Sequence, residues 1–374
     1  MSDYLKFWLI PNGIVAVGIA GFVLGGDWVW LGIATFPVLA LVDSLLPRNM
    51  RPRHMPNSFL STAPVWMAAI GSLLIYFFAA WRIAQGDLTA SQIVGSVASL
   101  MWISVVPGGP AAHELWHRRH RPSRVLGQVT QICMFDGIRD IGHVVGHHIE
   151  VCTPEDGDTA PRGQTLYWFA LHELYVSFSI GFRLENRSLK QRGLSFWNWR
   201  NRVWSWLGVQ ILFQAAIFMV GGWAGVALTV TGMLAARLWI ESFNYFQHYG
   251  LIRVPGSKIG NRHVWNHMSE LSRIVSFEIT NHAGHHQDSY MPYQKLVPHQ
   301  EQIPMPSLFT CFFVALIPAL WHRKIIMPAL KRWDLEYATD EERQLAREQN
   351  RRAGWPDWVG EAGEGVGRAA TTGC

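Results

Sequence analysis

Residues 89–117 read TASQIVGSVASLMWISVVPGGPAAHELWH, an apolar run of membrane-spanning length that ends in a paired-histidine motif. A bilayer crossing takes ~20 predominantly apolar residues, and 89–108 supplies them. His113 and His117 follow directly, four residues apart, which sets both rings on one face of a helix. A span that delivers ligand-type side chains at its own exit makes the spans a scaffold and places the chemistry where they end.

The rest of the chain agrees with that reading. Of its 374 residues, 49% are hydrophobic and only 16% charged, whereas an ordinary soluble chain carries about 25% charged residues. This argues against two or three soluble domains, and the apolar and aromatic content excludes disorder for most of the chain. A mean hydropathy of +0.09 is low for spans alone, so a sizeable water-facing part is expected.

Six stretches have the length and apolarity of spans: 7–25, 28–46, 64–84, 89–108, 203–222 and 224–247. Trp8, Trp28, Trp30, Trp66, Trp81, Trp204 and Trp223 fall near their ends, where an aromatic belt would sit. The first residues show no signal-peptide pattern, so the first span is expected to be retained. Arg48, Arg51 and Arg53 lie in the 47–63 connection, and the other basic residues concentrate in 109–202 and after Tyr249. Six spans with both termini cytoplasmic satisfy this alternation.

The chain therefore divides into spans one to four (1–108), a cytoplasmic His-box segment (109–202), spans five and six (203–248), a second His-box segment (249–333) and a tail (334–374). The tail is charged over 340–352 and Gly-rich after 360, and reads as frayed. The pI near 9.1 needs no nucleic acid, because Arg beside spans serves topology and anionic lipid. A basic face would also suit an acidic electron carrier. Cys133, Cys152, Cys311 and Cys374 form no CxxC pair, which argues against a disulfide framework and a four-cysteine iron–sulfur cluster.

Sixteen His are the surplus, and nine of them cluster. HELWH at 113–117, HVVGHH at 143–148, NYFQHYG at 244–250 and NHAGHH at 281–286 contribute His113, His117, His143, His147, His148, His248, His282, His285 and His286. Imidazole suits Zn, Cu, Fe and Ni, and nine rings on one membrane face exceed one tetrahedral site, which points to two metal ions. The bland alternative is a set of hydrogen-bonded helix faces. HELWH also matches the zinc-protease pattern, with Glu114 as general base, but that reading leaves the other clusters unexplained. A metal transporter or sensor would spread its His through the spans, and here they gather on one side. His54, His120, His172, His263, His267, His299 and His322 lack the patterning.

On these four motifs, with TPED at 153–156 after the second, the chain resembles the integral-membrane non-haem diiron hydroxylases, in particular the alkane and xylene monooxygenase hydroxylases. The resemblance covers about residues 1–330. It implies an all-α membrane protein of six transmembrane helices in a bacterial inner membrane, with a cytoplasmic helical His-rich cap. It also implies that the nine His hold two Fe ions that work with O2 on a hydrophobic small molecule. Gln247, where alkane enzymes usually carry Glu, and GDTAPRG after TPED favour the branch oxidising a methyl on an aromatic ring, as in xylene or p-cymene. Medium-chain alkanes come next, and a desaturase-like diiron enzyme is a further alternative.

An all-imidazole shell brings no negative charge, so nearby acids are candidates for charge balance. Glu241, seven before His248, is the first, because ionisable groups at membrane depth tend to be functional and ligand imidazoles usually donate to a carboxylate. Asp140, three before His143, and Glu278, four before His282, follow, with Glu114 and Asp156 nearby. Asp43 reads as a helix anchor, and for Arg237 two readings stay open, snorkelling to the interface and pairing with Glu241. Phe36, Trp102, Phe135 and Phe243 are candidate liners of a lipid-fed substrate tunnel. With no nucleotide motif and no cysteine cluster, electrons are expected from a separate protein. The resemblance suggests a ferredoxin-type reductase, or rubredoxin with its reductase.

Overall fold

The computed structural model describes residues 2–56, 58–299 and 303–361. It is helical, and among the described residues the only β feature is one isolated bridge between Arg48 and Ser269. Five helical runs have the length and apolarity to cross a membrane: Asp3–Leu24, Gly26–Leu45, Phe59–Ala84, Ala90–Trp116 and Arg202–His248. The chain is a multi-pass membrane protein.

Six spans are expected from the sequence and the structure has five such runs, the last of which is bent into two limbs. Its 47 residues would extend about 70 Å at 1.5 Å per residue, more than twice the ~30 Å hydrocarbon core. At Gly222 the backbone leaves the helix, at φ 55° and ψ −157°, a region open essentially to glycine alone. The limbs then run back along each other. Gln214 Nε2 lies 3.3 Å from Met233 Sδ, and Thr229 Oγ1 donates to Gln214 Oε1 at 3.3 Å.

Helix starts follow cap chemistry rather than hydropathy. The first helix, α1 (Asp3–Leu24), is capped by Ser2, and α2 spans Leu31–Leu45 after a 3-10 turn. α3 (Phe59–Ala84) begins five residues before the expected boundary, where the Ser58 amide donates to Ser61 Oγ at 3.0 Å, and carries Pro64 inside its first turns. α4 (Ala90–Ile103) opens on a Thr89/Gln92 capping box. It ends where Pro107 forces Val106 into extended backbone, at φ −139° and ψ 112°. A second helix, α5 (Gly109–Trp116), restarts there and carries HELWH.

Two expectations about the remaining segments need correction. The stretch 249–333 is not wholly a water-facing cap. Its helix Leu308–Ala315 packs among the spans, with Phe313 stacked on Phe36 of α2 at 4.2 Å and Phe312 against Trp102 of α4 at 5.9 Å and Trp239 at 5.7 Å. The tail is not frayed from 334. Thr339 and Glu342 form a capping box for the helix Asp340–Ala353. Asp334 takes a bidentate pair from buried Arg162 at 2.6 and 2.7 Å and accepts from Trp358 Nε1 at 2.6 Å. Residues 362–374 lie outside the described residues. Asp43, fully buried, accepts from Ser269, Ser272 and Ser307 hydroxyls, each at 2.6 Å, which ties α2 to the segment before the fourth His box.

Gly222→Val forces a β-branched residue into this backbone and should cost about 1–3 kcal/mol. Gly208→Ala, in a regular helical turn with free space around it, should be neutral or slightly stabilising. Thermal unfolding of both variants in one detergent checks the pair, and equal behaviour would contradict the hairpin.

Candidate metal centre

The four His motifs reach one place from four directions. His113 lies on α5 and His117 caps it. His143, His147 and His148 lie on and just after a π-helical turn over Gly142–His147. A π turn takes more residues per turn than an α turn, which narrows the angle between His143 and His148. His248 ends the helix Glu241–His248, and His282, His285 and His286 lie on the helix His282–Gln287, whose first amides donate to Asn266 Oδ1.

The nine rings separate into two sets. His113, His117, His143, His148 and His285 present nitrogens within 4.8 Å of one another, and so do His147, His248, His282 and His286. The sets abut, with His148 and His286 ring centroids 4.5 Å apart. Sequence spacing could not have assigned this partition, because adjacent His147 and His148 belong to different sets.

The second set fits a cation on its own geometry. His282 Nδ1 lies 3.1 Å from the Ile279 carbonyl and His248 Nδ1 3.4 Å from the His263 carbonyl. A carbonyl only accepts, so each Nδ1 carries the ring proton and each Nε2 is a bare lone pair. Those two Nε2 atoms sit 2.8 Å apart. Two buried lone pairs at that distance repel unless a cation lies between them. Two ligands at right angles on a metal with ~2.1 Å bonds are about 3.0 Å apart. The His113–His143 and His148–His285 nitrogens, at 2.9 and 3.0 Å, repeat the spacing in the first set. Both His117 ring nitrogens and Nε2 of His147 have no hydrogen-bond partner.

Burial keeps the rings neutral. It pushes His117 down to about 3, and burial with neighbouring imidazoles holds His143, His148, His282, His285 and His286 well below the ordinary value. His147 goes the other way. Burial lowers it, but Asp156, 3.0 Å from its Nδ1, more than offsets this.

Among the acids, Asp156 meets a ligand-type ring directly. It also accepts from Thr159 Oγ1 at 2.6 Å and from the Cys152 amide, so the TPEDGDT loop holds it in place. Asp158, which sequence reasoning passed over, lies 3.8 Å from Nδ1 of both His143 and His147. The three acids ranked first are engaged elsewhere. Glu241 is held by Arg139 at 2.7 and 2.9 Å and by Arg237. Asp140 binds Arg202, Gln128 and Gln131, since the π turn swings His143 away from it. Glu278 lies before its helix in left-handed backbone, φ 64°, so counting back four residues from His282 does not apply; Arg53 and Arg273 each bind it at 2.7 Å. Glu114 pairs with Arg118 at 2.7 Å and accepts from the Tyr293 amide.

Beside the rings, Asp158, Glu173 and Glu241 converge within 4.8 Å. Arg139 and Arg237 compensate Glu241 and Asp136, leaving two carboxyls in excess. Glu173, fully buried, is pushed up to about 10 by burial and by Asp158 and Glu241, so it holds a proton at neutral pH.

Two hollows reach the rings. A cavity of about 30 Å³ touches His113, His143 and His282, with Met134, Ile240, Phe243 and Trp116 and the polar Arg139, Asn244 and Gln247 also in its lining. A larger cleft of about 380 Å³ reaches His143 and His147 past Asp156, Asp158 and Arg183. Of the four expected liners only Phe243 lines the cavity. Phe36 and Trp102 pack against Phe312, and Phe135 against Trp206. His267 is buried on the Pro306 carbonyl outside both ring sets, and His263 binds Glu342 at 2.8 Å.

The sequence profile of the family described as fatty acid desaturase matches residues 88–304, the stretch that carries all four motifs. The chain is 39% identical to the xylene/toluene monooxygenase hydroxylase component XylM of Pseudomonas putida, over 95% of this chain and 97% of that protein. It is 30% identical to alkane 1-monooxygenase 1 of Pseudomonas aeruginosa over 86% of this chain and 87% of that protein. Alkane 1-monooxygenase 2 of Alcanivorax borkumensis is 26% identical over 88% of this chain and 90% of its own length.

Asp156→Asn keeps the size of the side chain but removes the charge behind His147. It should weaken divalent-metal retention about 10–100-fold, read by chelator competition with metal analysis. The depressed rings also set a pH dependence. They bind protons near 6.5 when unfolded and only far lower when folded, so the stability they give is present above about 6.5 and is lost as pH falls below it. His147, raised, and Glu173, proton-bound up to about 10, contribute in the opposite sense, two groups against six rings. The unfolding midpoint of metal-free protein should therefore rise slightly from pH 8 to about 7 and fall towards pH 5.

Proposed function

We propose that this chain, which belongs to the fatty acid desaturase family and within it to the xylene and alkane monooxygenase hydroxylases, inserts one oxygen atom of O2 into a terminal methyl C–H bond. The substrate proposed is an alkyl-aromatic of the xylene, toluene or p-cymene type. The observation that carries the reading is the convergence of nine imidazoles, eight buried and one half-buried, in two adjoining sets, three of whose rings line a small cavity. The identity and coverage shared with the xylene/toluene enzyme support the aromatic branch.

His113, His117, His143, His148 and His285 would hold one Fe ion, and His147, His248, His282 and His286 the other. Bound there, the irons supply the activation of O2 and the insertion chemistry. The chain does the rest. The rings that burial keeps neutral present lone pairs without first losing a proton, and His147, whose proton Asp156 favours, gives one up on binding. Asp156 orients His147, and the carbonyls of Ile279 and His263 orient His282 and His248. Met134, Ile240, Phe243 and Trp116 exclude water and place the methyl group against the rings. The cavity is smaller than a xylene, so entry requires the flexible Met134 and Ile240 side chains to turn aside.

The overall balance is RH + O2 + 2 electrons + 2 protons → ROH + H2O. The two electrons would come from a separate ferredoxin-type reductase, or from rubredoxin with its reductase. The orientation that fits the basic connections is a bacterial inner membrane with the His-rich side cytoplasmic.

Membranes supplied with a redox partner should oxidise p-xylene or p-cymene to the benzylic alcohol at least about tenfold faster than octane, a discrimination within reach of a shaped apolar pocket. Faster octane turnover would transfer the assignment to n-alkanes, and an alkene product would sink the hydroxylase reading. His285→Ala should abolish turnover and lower bound iron from about two per chain, while the protein still inserts. Full turnover with unchanged iron would refute the site.

A further inference from the structure

The helix Leu166–Gln191 is amphipathic in an unusual sense. Its buried stripe includes Phe169, Glu173, Ser177, Gly181 and Glu185, packs against the His-bearing cap, and holds three polar or charged residues among the helix's eight buried ones. Its outward stripe is apolar over the first half. Tyr167, Trp168, Leu171, Tyr175 and Phe178 are each between 38% and 76% exposed. Over the second half the same stripe turns basic, with Arg183, Arg187 and Lys190 exposed. Monomeric soluble surfaces rarely leave an apolar patch of this extent uncovered.

Both ends of the patch continue into surface that belongs to the membrane-spanning part. At the N-terminal end Tyr167 Oη donates to the Leu316 carbonyl at 2.8 Å. Residue 316 directly follows the helix whose Phe313 stacks on Phe36 within α2, and neighbouring Ile317 is 57% exposed. At the other end, ring contacts run from Phe178 through Phe182 and Phe196 to Trp204, at the start of the Arg202–Trp239 helix. That helix then exposes Ile211 and Leu212 along its span. The apolar stripe thus bridges two exposed span faces, and the basic stretch beside it has the sign that anionic headgroups attract.

We propose that Leu166–Gln191 lies in the plane of the membrane as an interfacial helix. Its Tyr167–Phe178 face is sunk at the headgroup–acyl boundary, and Arg183, Arg187 and Lys190 lie on anionic phospholipid. Length does not conflict, since interfacial helices of 20–30 residues are common. The element is one that span counting from hydropathy passes over, because its buried side is partly polar and its apolar side faces outward.

The test uses the full chain carrying Cys374→Ser, because Cys133, Cys152 and Cys311 are buried. Single cysteines for an environment-sensitive fluorophore are placed by Leu171→Cys and Tyr175→Cys, with Leu212→Cys as the span reference and Gln344→Cys as the aqueous reference. The protein is reconstituted in vesicles of phosphatidylcholine with phosphatidylglycerol. Labels at 171 and 175 should be quenched by nitroxide-bearing lipid within about twofold of 212 and be shielded from iodide, while 344 behaves oppositely. Iodide quenching at 171 and 175 equal to that at 344 would put the face in water. Shielding from iodide without lipid quenching would mean that protein covers it. Either result overturns the assignment. Arg187→Gln with Lys190→Gln should remove the part of the quenching at 175 that depends on phosphatidylglycerol and keep that seen in phosphatidylcholine alone. Persistence of that dependence would overturn the role given to the basic half.

Discussion

Two bare imidazole nitrogens 2.8 Å apart in a region sealed from water set the terms for the rest of this molecule. Imidazoles brought together in this way gain nothing from one another. Without a cation each additional ring only adds desolvation and repulsion, which is why burial and neighbouring rings drive the basicity of this group so far down. The convergence must therefore be imposed from outside. Carbonyls fix the tautomers of His248 and His282, and Asn266 starts the helix carrying three of the rings. The break before Pro107 aims α5, and the Gly222 hairpin returns the last limb to the same end of the bundle.

The outer frame is built largely of guanidinium–carboxylate pairs: Arg139 and Arg237 on Glu241, Arg53 and Arg273 on Glu278, Arg162 on Asp334. This explains why the nominated acids do not stand behind the rings. In a low-dielectric setting a carboxylate is expensive to bury unless fully paired, and a guanidinium with two parallel N–H donors satisfies it better than one neutral imidazole N–H. Glu241 and Glu278 were assigned by helical spacing to the nearest His, but spacing carries no information about which cation arrives from a distant segment. Asp156 is the exception because its loop brings no Arg to it and offers Thr159 and backbone amides instead.

What was legible in the sequence was whatever repeats locally. The apolar runs and the paired His are short-range patterns, and each has its counterpart in the structure. The partition of the nine rings was not legible, because the π turn over 142–147 sends adjacent His147 and His148 to different sets. Nor was the place of the charged 340–352 segment. Its composition resembles a solvated tail, yet Glu342 binds Arg262 and His263, and the carbonyl of that same His263 faces His248. The helix at 308–315 misled for the opposite reason. It is apolar but only eight residues long, too short to register as a span, and it fills the space between α2 and α4 that Phe36 and Trp102 were expected to leave open.

These features leave the rings with two unlike approaches. On the side of the spans, filling by Phe312, Phe313 and Trp102 reduces the space to a cavity that begins only at Met134, Ile240 and Phe243. The larger cleft instead presents Asp156, Asp158 and Arg183. An apolar molecule gains free energy against Met134, Ile240 and Phe243, whereas a charged or hydrated species is better accommodated beside the carboxylates of the cleft. His143 and Arg139 face both hollows, so a ring and a guanidinium stand between them. The shell of rings keeps its negative charge behind it on Asp156 and Asp158, and both of these carboxylates line the larger cleft rather than the small cavity, so the compensating charge lies away from the Met134, Ile240 and Phe243 side chains.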